Sequence, residues 1–505
     1  MVKNVLDYLE KSAEKYPDKI AYSDKDNNIT YAELQKKAQA VGTFLLSNCQ
    51  KNKPVAVFVD RTVQSVVMFM GVVYSGNFYA PIDPATPMKR IDAMLSVLAP
   101  VMIIGGDNSA SVIKQICTFK TELYNNICDT PIDTEALKAV RSEAMDSDPV
   151  CCIFTSGSTG IPKAVIKSHR SIICMANNFT DTFGFSSEDV FGNQSPFDFD
   201  VSNKDIYLTL FNSASNVIIP KEYFVFPIKL IQYMNEKGIT SIIWAVSALN
   251  VVANIKAMKK EKLCFVKKVL FSGEVLPVKS LEYWMSNLPD AMFVNLYGPT
   301  EMTGNVTYYI VDKERTYQNV LPIGRTFPNT RMILAGDDGR IVEGAGEGEA
   351  YISGGCLAMG YYNDISKTAS SFVQAPYDPL YPEIFYKTGD IVRRDEDGDY
   401  IYVGRKDFQI KHQGHRIELQ EIEAAANQWE GIKACCCIYD REKQRIVLVY
   451  ESDRDEEKEL LDVLKKTLPK FMLPNRIVRI DKMPMNGHCK IDRRLLMEMS
   501  KEGGL

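Results

Sequence analysis

The first stretch whose residue types suit chemistry is a loop of small and hydroxylated residues that ends in lysine. Residues 154–164 read FTSGSTGIPKA and follow a run typical of a buried strand. Such a loop can close backbone N–H groups and hydroxyls around phosphate oxygens, and Lys163 adds positive charge. The spacing of a Walker loop is absent. Taken alone, the stretch also fits a flexible surface loop, so its role depends on the rest of the chain.

A second stretch concentrates charge among aromatic residues. Residues 195–205 read SPFDFDVSNKD, with three aspartates and Lys204 interleaved with two phenylalanines. Buried carboxylates and ammonium groups need partners or they lose their charge. The stretch therefore predicts either a local ion pair of Lys204 with Asp200 or Asp205, or charges held for a ligand.

The elements that must position these residues alternate along the chain. β-Branched runs at 53–60, 100–106, 151–157, 240–246, 266–274 and 292–298 alternate with helical stretches such as 63–76. This alternation predicts α/β layers with a largely parallel sheet. Gly-rich short strands from about residue 320 predict a smaller β-rich subdomain. Helix patterns at 418–428 and 456–469 and strand patterns at 445–451 and 476–481 predict a compact α+β module.

Length and composition limit the functional classes. At 505 residues the chain exceeds one ordinary core, so two or more domains are expected. A net charge of −5 gives no support for nucleic-acid binding, and no apolar run approaches the roughly 18 residues of a spanning helix. The polar N-terminus lacks a signal sequence, and the 12 cysteines show neither disulfide nor zinc spacing. These features predict a cytoplasmic protein with small, buried, reduced cysteines and no membrane insertion.

A series of short motifs, in this order and spacing, resembles the adenylate-forming superfamily over residues 20–495. The most similar branches are the amino-acid-activating adenylation domains of nonribosomal peptide synthetases and the D-alanine–D-alanyl carrier protein ligases. The motifs are TYAEL (30–34), GNFYAPIDP (76–84), the loop 154–164, FDFDVS (197–202), NLYGPTE (295–301), GEAYISG (348–354), YKTGD (386–390), GRKDFQIKHQGHRIELQEIE (404–423), LPKFMLP (468–474) and KIDRR (490–494).

The resemblance implies a two-step ligase that uses ATP and Mg²⁺. A carboxylate attacks the α-phosphate of ATP, giving an acyl-adenylate and pyrophosphate, and the phosphopantetheine thiol of a carrier protein then takes the acyl group. Because the first transition state gathers negative charge on phosphate, positioned donors and cations should dominate catalysis. The sequence stops soon after KIDRR without a carrier domain, so we expect the carrier protein to be a separate chain.

The resemblance also implies the catalytic and nucleotide-binding residues. Lys490 would bridge the α-phosphate and the substrate carboxylate, with Lys163 and Thr155 as further catalytic residues. Glu301 would be both catalytic and the Mg²⁺ ligand, as a hard oxygen donor. The residues implied to bind ATP are Thr155, Ser156, Gly157, Ser158, Thr159, Gly160, Lys163, Gly273, Glu274, Asn295, Leu296, Tyr297, Gly298, Pro299, Thr300, Asp390, Tyr402, Arg405 and Lys490.

Two assignments concern the C-terminal part of the chain. Asp407 matches a hinge, which implies an N-terminal domain over residues 1–406 and a small mobile lid domain over residues 407–505. Lys490 is placed by its distance from Met483 and Pro484. If the chain were instead aligned with the family on Asn486-Gly487, no lysine would stand at the catalytic position, and catalysis would be in doubt.

The motif FDVS favours an amino acid as the acyl substrate, because its aspartate, Asp200, matches the residue that binds the α-ammonium. The implied pocket lining is Asp200, Val201, Lys204, Ile243, Leu270, Ser272, Leu296, Gly304 and Asn305. Lys204 would select an acidic side chain if it pointed into this pocket. The alternative is that Ser202 caps a helix and that Lys204 pairs locally with an aspartate.

Other functions stay open on the sequence. D-Alanine is a possible substrate, although the D-alanyl ligases typically have a cysteine where this chain has Ser272. An acyl-CoA or aryl-CoA synthetase would share the phosphate loop, the GPTE motif and the late lysine. A non-catalytic protein that binds nucleotide or amino acid would retain some of these residues without turnover.

Overall fold

Helices occupy the positions that the sequence predicts for them. A computed structural model describes residues 2–157, 161–317, 320–377, 380–440, 442–485 and 491–501. Its α-helices span Leu6–Lys15, Tyr31–Asn48, Val63–Tyr74, Met88–Leu98, Ala110–Ile113, Tyr124–Ile127, Thr134–Glu143, His169–Phe183, Val201–Asn212, Pro227–Glu236, Val246–Asn254, Val278–Asn287, Ile365–Ser371, Leu419–Ala426, Glu457–Thr467 and Arg493–Lys501. The helices predicted over 63–76, 418–428 and 456–469 are thereby confirmed.

The largest sheet has nine strands, and six neighbouring strands at its centre are parallel. In sheet order its strands are Arg325–Thr326, Thr307–Ile310, Met292–Tyr297, Lys268–Ser272, Ser241–Ala245, Val190–Asn193, Ser215–Ile218, Ile20–Ser23 and Asn28–Thr30. The first two strands and the last are antiparallel to their neighbours. The carboxyl ends of the parallel strands meet at one edge, which is where ligands bind in open α/β sheets.

A second sheet has seven strands. In sheet order they are Gly360–Tyr361, Lys163–Ser168, Pro149–Thr155, Phe78–Ile82, Pro54–Phe58, Met102–Gly105 and Thr121–Leu123. The last five of these strands pair in parallel. Strands Pro54–Phe58 and Phe78–Ile82 are buried along their whole length, as parallel strands covered on both faces are. The predicted α/β class is confirmed.

The β-rich subdomain predicted from about residue 320 is an antiparallel sheet of five strands. They span Thr330–Ala335, Gly346–Gly354, Phe372–Gln374, Ile384–Arg394 and Tyr400–Arg405. In the ladder between the last two strands, Asp390 lies directly opposite Arg405. Strand register therefore brings these two charged residues together.

The C-terminal segment forms a hairpin and a small mixed sheet. The hairpin strands are Gln409–His412 and His415–Glu418, and the sheet consists of Ala434–Asp440, Arg445–Glu451 and Arg476–Ile480. Strand Ala434–Asp440, with its three consecutive cysteines, is absent from the sequence prediction because cysteine is a weak strand signal. The described cysteines are free thiols, but Cys117 and Cys264 are exposed, so the expected burial is wrong for these two.

By its internal contacts the chain divides into two units. The large unit combines residues 1–84, 98–153 and 164–406, and the small unit combines residues 85–97, 154–163 and 407–505. Each unit has its own apolar core. Leu270 and Phe69 belong to the main core of the large unit, and Ile422 and Leu448 belong to that of the small unit.

Local sequence signals place two helices beside the predicted site. Ser168 caps helix His169–Phe183 by accepting a hydrogen bond from the backbone N–H of Ser171, and Gly184 ends that helix in the left-handed conformation. Asp200 precedes helix Val201–Asn212, but its side chain makes no capping bond. The carboxylate of Asp200 is therefore left for another partner.

Candidate functional site

The strand residues of the predicted substrate pocket lie side by side on neighbouring parallel strands of the large unit. Ile243 is the register partner of Leu270, and Ser272 is the register partner of Leu296. All four residues are buried. Residues two apart on a strand, such as Leu270 and Ser272, point to the same face. The structure therefore brings these four predicted lining residues together.

Asp200 forms an ion pair with Lys167, a residue to which the sequence assigns no role. Oδ1 of Asp200 accepts a hydrogen bond from the Lys167 ammonium. The Lys167 side chain has no exposed surface, whereas 13% of the Asp200 side chain is exposed. Among the described residues no other side chain bonds the Asp200 carboxylate, so Oδ2 has no partner there. One oxygen of Asp200 is therefore paired with a lysine, and the other is left for a ligand.

Burial controls the charge of Lys167. It lowers the pKa of the Lys167 ammonium to about 8, and the positive charge of Lys204 acts in the same direction. The Cys151 thiol and Glu301 oppose this effect. Lys167 follows Val165 and Ile166 in a strand that is mostly buried. A lysine inside such an apolar run is the sequence signal that could have identified it.

Lys204 lies among the predicted lining residues, and its Nζ donates a hydrogen bond to Oδ1 of Asn305 at 2.6 Å. Only 1% of Lys204 is exposed. Its side-chain carbons lie 3.8 Å from the point where a Cβ on Gly304 would stand. Of the two alternatives that the sequence left open, the local ion pair of Lys204 with Asp200 or Asp205 is not formed among the described residues: Asp200 binds Lys167, and Oδ2 of Asp205 accepts from Asn193 at 2.7 Å. Burial lowers the pKa of Lys204 to about 8, with Asp205 opposing this effect.

Glu301 is fully buried at the end of the NLYGPTE motif. Its Oε1 accepts a hydrogen bond from the Tyr361 hydroxyl at 2.8 Å. Thr300 and Glu301 lie in a short 3₁₀-helix that follows strand Met292–Tyr297. A buried carboxylate at the end of this strand is the kind of oxygen donor that Mg²⁺ takes. Tyr361 is a contact that the sequence does not predict.

Asp390 has a donor on each carboxylate oxygen. The Tyr297 hydroxyl donates to Oδ2 at 2.5 Å, and the Arg405 guanidinium donates to Oδ1 at 2.5 Å. Burial raises the pKa of Tyr297 above its ordinary value, and the neighbouring Asp390 raises it further. The ring of Tyr402 lies 6.2 Å from that of Tyr297. The structure therefore brings together four residues that the sequence assigns to nucleotide binding.

The backbone around the GPTE motif is closely packed. A Cβ on Gly298 would stand 2.6 Å from the Cα of Asn305, so only glycine fits there. The Asn295 side-chain N–H donates to the Pro322 carbonyl at 2.8 Å, which leaves Oδ1 for the predicted contact with ATP. Gly273 has a positive φ and follows strand Lys268–Ser272. The other predicted residues of these segments are Glu274, after Gly273, and Pro299, before the 3₁₀-helix.

The predicted phosphate loop belongs to the small unit. Ser156 Oγ donates to the Arg416 carbonyl at 2.8 Å, and the Gly157 N–H donates to Glu421 at 3.3 Å. Lys163 forms an ion pair with Glu418 at 3.2 Å. The Thr155 hydroxyl is buried and has no partner among the described residues, so a phosphate oxygen would suit it.

The remaining predicted residues have the following positions. Asp407 begins the C-terminal segment of the small unit and accepts a hydrogen bond from the Gln409 N–H at 3.2 Å. Val201 is the first residue of its helix. Ser158, Thr159, Gly160 and Lys490 lie outside the described residues.

Comparison with known proteins identifies the family to which this geometry belongs. The family described as "AMP-binding enzyme" matches residues 9–362. The chain belongs to the AMP-binding enzyme family. Membership of this family implies an adenylate-forming enzyme, with ATP as its nucleotide. Among the described residues of this AMP-binding enzyme, no helix is both long and apolar enough to cross a membrane.

Two curated relatives of this AMP-binding enzyme differ greatly in length. Bacitracin synthase 1 of Bacillus licheniformis is 30% identical over 507 residues, which cover 99% of this chain and 9% of that protein. The D-alanine–D-alanyl carrier protein ligase of Lactiplantibacillus plantarum is 30% identical over 517 residues, covering 99% of this chain and 100% of that protein. The chain spans 9% of the length of bacitracin synthase 1 and 7 to 20% of that of two other large synthases that it matches.

Solved structures share the fold of this AMP-binding enzyme. The Vibrio cholerae adenylation domain AlmE, in complex with glycyl-adenosine-5′-phosphate, has a TM-score of 0.84 at 20% identity, covering 99% of this chain and 98% of that chain. At this level of identity the likeness shows the fold alone.

Proposed function

We propose that this AMP-binding enzyme activates an amino acid as its aminoacyl-adenylate and transfers the aminoacyl group to the phosphopantetheine thiol of a carrier protein. In the first step the substrate carboxylate attacks the α-phosphorus of ATP, and the bond to the β-phosphate breaks to release pyrophosphate. In the second step the thiolate attacks the acyl carbon and AMP leaves.

The observation that carries the proposal is the carboxylate of Asp200. It stands at the start of helix Val201–Asn212, is partly exposed, and has one oxygen without a partner among the described residues. A substrate α-ammonium can donate a charge-assisted hydrogen bond to that oxygen. End-to-end similarity to proteins named D-alanine–D-alanyl carrier protein ligases supports both the amino acid and the carrier.

Residues of the chain take distinct parts in the proposed reaction. Glu301 would hold Mg²⁺, which offsets negative charge on the phosphates when it is bound. The Tyr297 ring would stack on adenine, and Asp390 would bind the ribose hydroxyls in exchange for its present donors. Thr155 and Lys163 would bind phosphate oxygens, and Lys490 would neutralise charge between the α-phosphate and the substrate carboxylate.

Amino-acid-dependent ATP–pyrophosphate exchange tests the proposal. A panel of L- and D-amino acids, D-alanine included, should contain at least one that supports exchange. Lys490→Ala should reduce this exchange by about a hundredfold or more, because a positioned donor to the developing charge is removed. Lys482→Ala, which changes an exposed lysine of the same segment, is the matched control. Exchange with none of the amino acids would reject the proposal.

A further inference from the structure

The two buried lysines of the predicted acyl pocket differ in how their charge is balanced. Lys167 is paired with the Asp200 carboxylate. Lys204 is bonded to the neutral amide of Asn305 and lies 6.0 Å from the centre of the Phe179 ring. In the part of the chain that the structure describes, no carboxylate lies at ion-pair distance from Lys204. Of these two lysines, Lys204 is therefore the one whose buried charge is less compensated.

The other charges nearby do not remove this imbalance. Oδ2 of Asp205 is bonded to Asn193, and burial raises the pKa of Asp205 to about 7, so its carboxyl group is partly protonated near neutral pH. The Arg61 guanidinium donates to backbone carbonyls, those of Gln194 and Ile219 among them. Glu301 accepts from Tyr361 and has its own proposed role. A buried ammonium without a carboxylate is costly, and an anionic ligand would offset that cost.

Lys167 changes what Asp200 can offer a substrate. An aspartate without an internal partner would gain a full ion pair from a substrate ammonium. Here Oδ1 already accepts from Lys167, so the ammonium could reach only Oδ2. A second cation at this carboxylate would also be repelled by the first. The contribution of an α-ammonium to binding is therefore reduced.

We propose that the pocket selects an acid with a second carboxylate, which Lys204 and the Asn305 amide bind, while Lys167 weakens the dependence on an α-ammonium by pairing with Asp200. The inference rests on the proposed adenylation reaction and names its substrate class. Acidic amino acids and dicarboxylic acids without an amine both supply the second carboxylate. Lys167 and Lys204 are then the residues that determine specificity.

Pyrophosphate exchange by the wild-type chain gives the first test. The acids are L- and D-glutamate, L- and D-aspartate, glutarate, succinate, L-glutamine and L- and D-alanine. The best dicarboxylic acid should exceed glutamine and alanine by about tenfold or more in kcat/KM, the range expected for a hydrogen bond between charged groups. Glutamate and glutarate, and likewise aspartate and succinate, differ only in the amine, and the kcat/KM values within each pair should differ by less than about tenfold.

Two charge-removing variants give the second test, with Lys268→Met as the matched control. Lys268 also pairs with an aspartate in the large unit, Asp189 at 3.0 Å. Lys204→Met should abolish the preference for dicarboxylic acids over glutamine. Lys167→Met frees Asp200 and should shift the preference from glutarate towards glutamate by about tenfold. If it fails to fold, Lys167→Met combined with Asp200→Asn should fold, because both partners of the pair are removed, and should show no such shift.

The outcomes separate this inference from the proposed function. If neither these acids nor any other amino acid supports exchange, both the inference and the proposed function are overturned. Exchange with alanine or glutamine at least as fast as with every dicarboxylic acid overturns the inference alone. Loss of the dicarboxylic preference in Lys268→Met, or an unchanged preference in Lys204→Met, overturns the role of Lys204. An unchanged glutarate-to-glutamate ratio in Lys167→Met overturns the role of Lys167.

Discussion

Asp390 and Asp200 are both paired with a basic side chain in the large unit, but the two pairs are built differently. Asp390 has donors on both oxygens, Tyr297 and Arg405, and its side chain is 3% exposed. Asp200 has a donor on one oxygen, and its side chain is 13% exposed. A ligand at Asp390 must take the place of existing donors, whereas a ligand at Asp200 can use an oxygen that has no donor among the described residues.

The origins of the two pairs explain this difference. Asp390 and Arg405 are opposite each other in an antiparallel ladder, so strand register fixes their approach. Asp200 precedes a helix, and its partner Lys167 comes from a strand of the seven-stranded sheet. The first pair is held by backbone hydrogen bonds between neighbouring strands. The second depends on the packing of two separate elements.

The largest expected effect comes from removing the fully paired carboxylate. Asp390→Ala leaves the buried Arg405 without its carboxylate, which should cost about 3 to 5 kcal/mol in free energy of unfolding. It should also reduce exchange about a hundredfold or more with every acid. Urea unfolding, exchange kinetics and AMP binding by calorimetry measure these effects. Asp397→Ala, on an exposed turn of the same hairpin, is the control, and unchanged AMP affinity in Asp390→Ala would contradict the assigned role.

The next effect concerns Asp205, which extends the comparison to a buried aspartate whose hydrogen bond comes from an amide, Asn193. Burial raises the pKa of Asp205 from its ordinary value of 3.8 to about 7. Between pH 3.8 and about pH 7 the Asp205 carboxyl group is protonated more in the folded chain than in the unfolded chain. The stability that comes from this protonation is therefore lost as pH rises through that range. As pH rises, the free energy of unfolding of the wild-type chain should fall by an amount on the order of 3 kcal/mol that Asp205→Asn does not lose.

Urea unfolding at pH 5 and pH 8 measures this contribution. The wild-type chain should lose stability relative to Asp205→Asn between the two pH values. Parallel curves for the two proteins would show that the carboxyl group of Asp205 does not titrate in this range. Asp462→Asn, which changes an exposed aspartate on the α-helix Glu457–Thr467 of the small unit, is the control.

A smaller effect separates the Tyr297 hydroxyl from its ring. Tyr297→Phe removes one donor to Asp390 but keeps the aromatic face, and a hydrogen bond to a charged group contributes about 2 kcal/mol. We expect a loss of about that size in unfolding free energy, with AMP affinity changed by less than about tenfold. A loss of AMP binding as severe as in Asp390→Ala would mean that the hydroxyl, and not the ring, holds the nucleotide.

The smallest effect on exchange kinetics is expected at the half-paired aspartate. Asp200→Asn should raise the KM for an amino acid by about tenfold and leave the KM for ATP unchanged. The change is modest because Lys167 already compensates the charge of Asp200. Steady-state exchange with each substrate varied in turn measures both constants. A rise in the KM for ATP would place Asp200 in nucleotide binding and remove the distinction between the two carboxylates.

Much of the fold could be predicted from the sequence. The β-branched runs at 54–58, 241–245, 268–272 and 292–297 are strands, because continuous apolar runs fit strands buried on both faces. Strand Ala434–Asp440 could not be predicted with the same ease, since cysteine gives little preference. For the site, the strand residues Ile243, Leu270, Ser272 and Leu296 lie together as the motif register implies.

By itself the sequence determined the adenylate-forming family, the α/β class and the positions of the charged residues along the chain, because motif spacing and hydrophobic period are local properties. Only the tertiary structure decided which charges meet. Lys167 and Asp200 are 33 residues apart, and Lys204 and Asn305 are 101 residues apart. An ion pair forms where separate elements pack and exclude water, and no local pattern encodes that. The partner of each buried lysine, and with it the expected substrate class, is therefore a property of the fold.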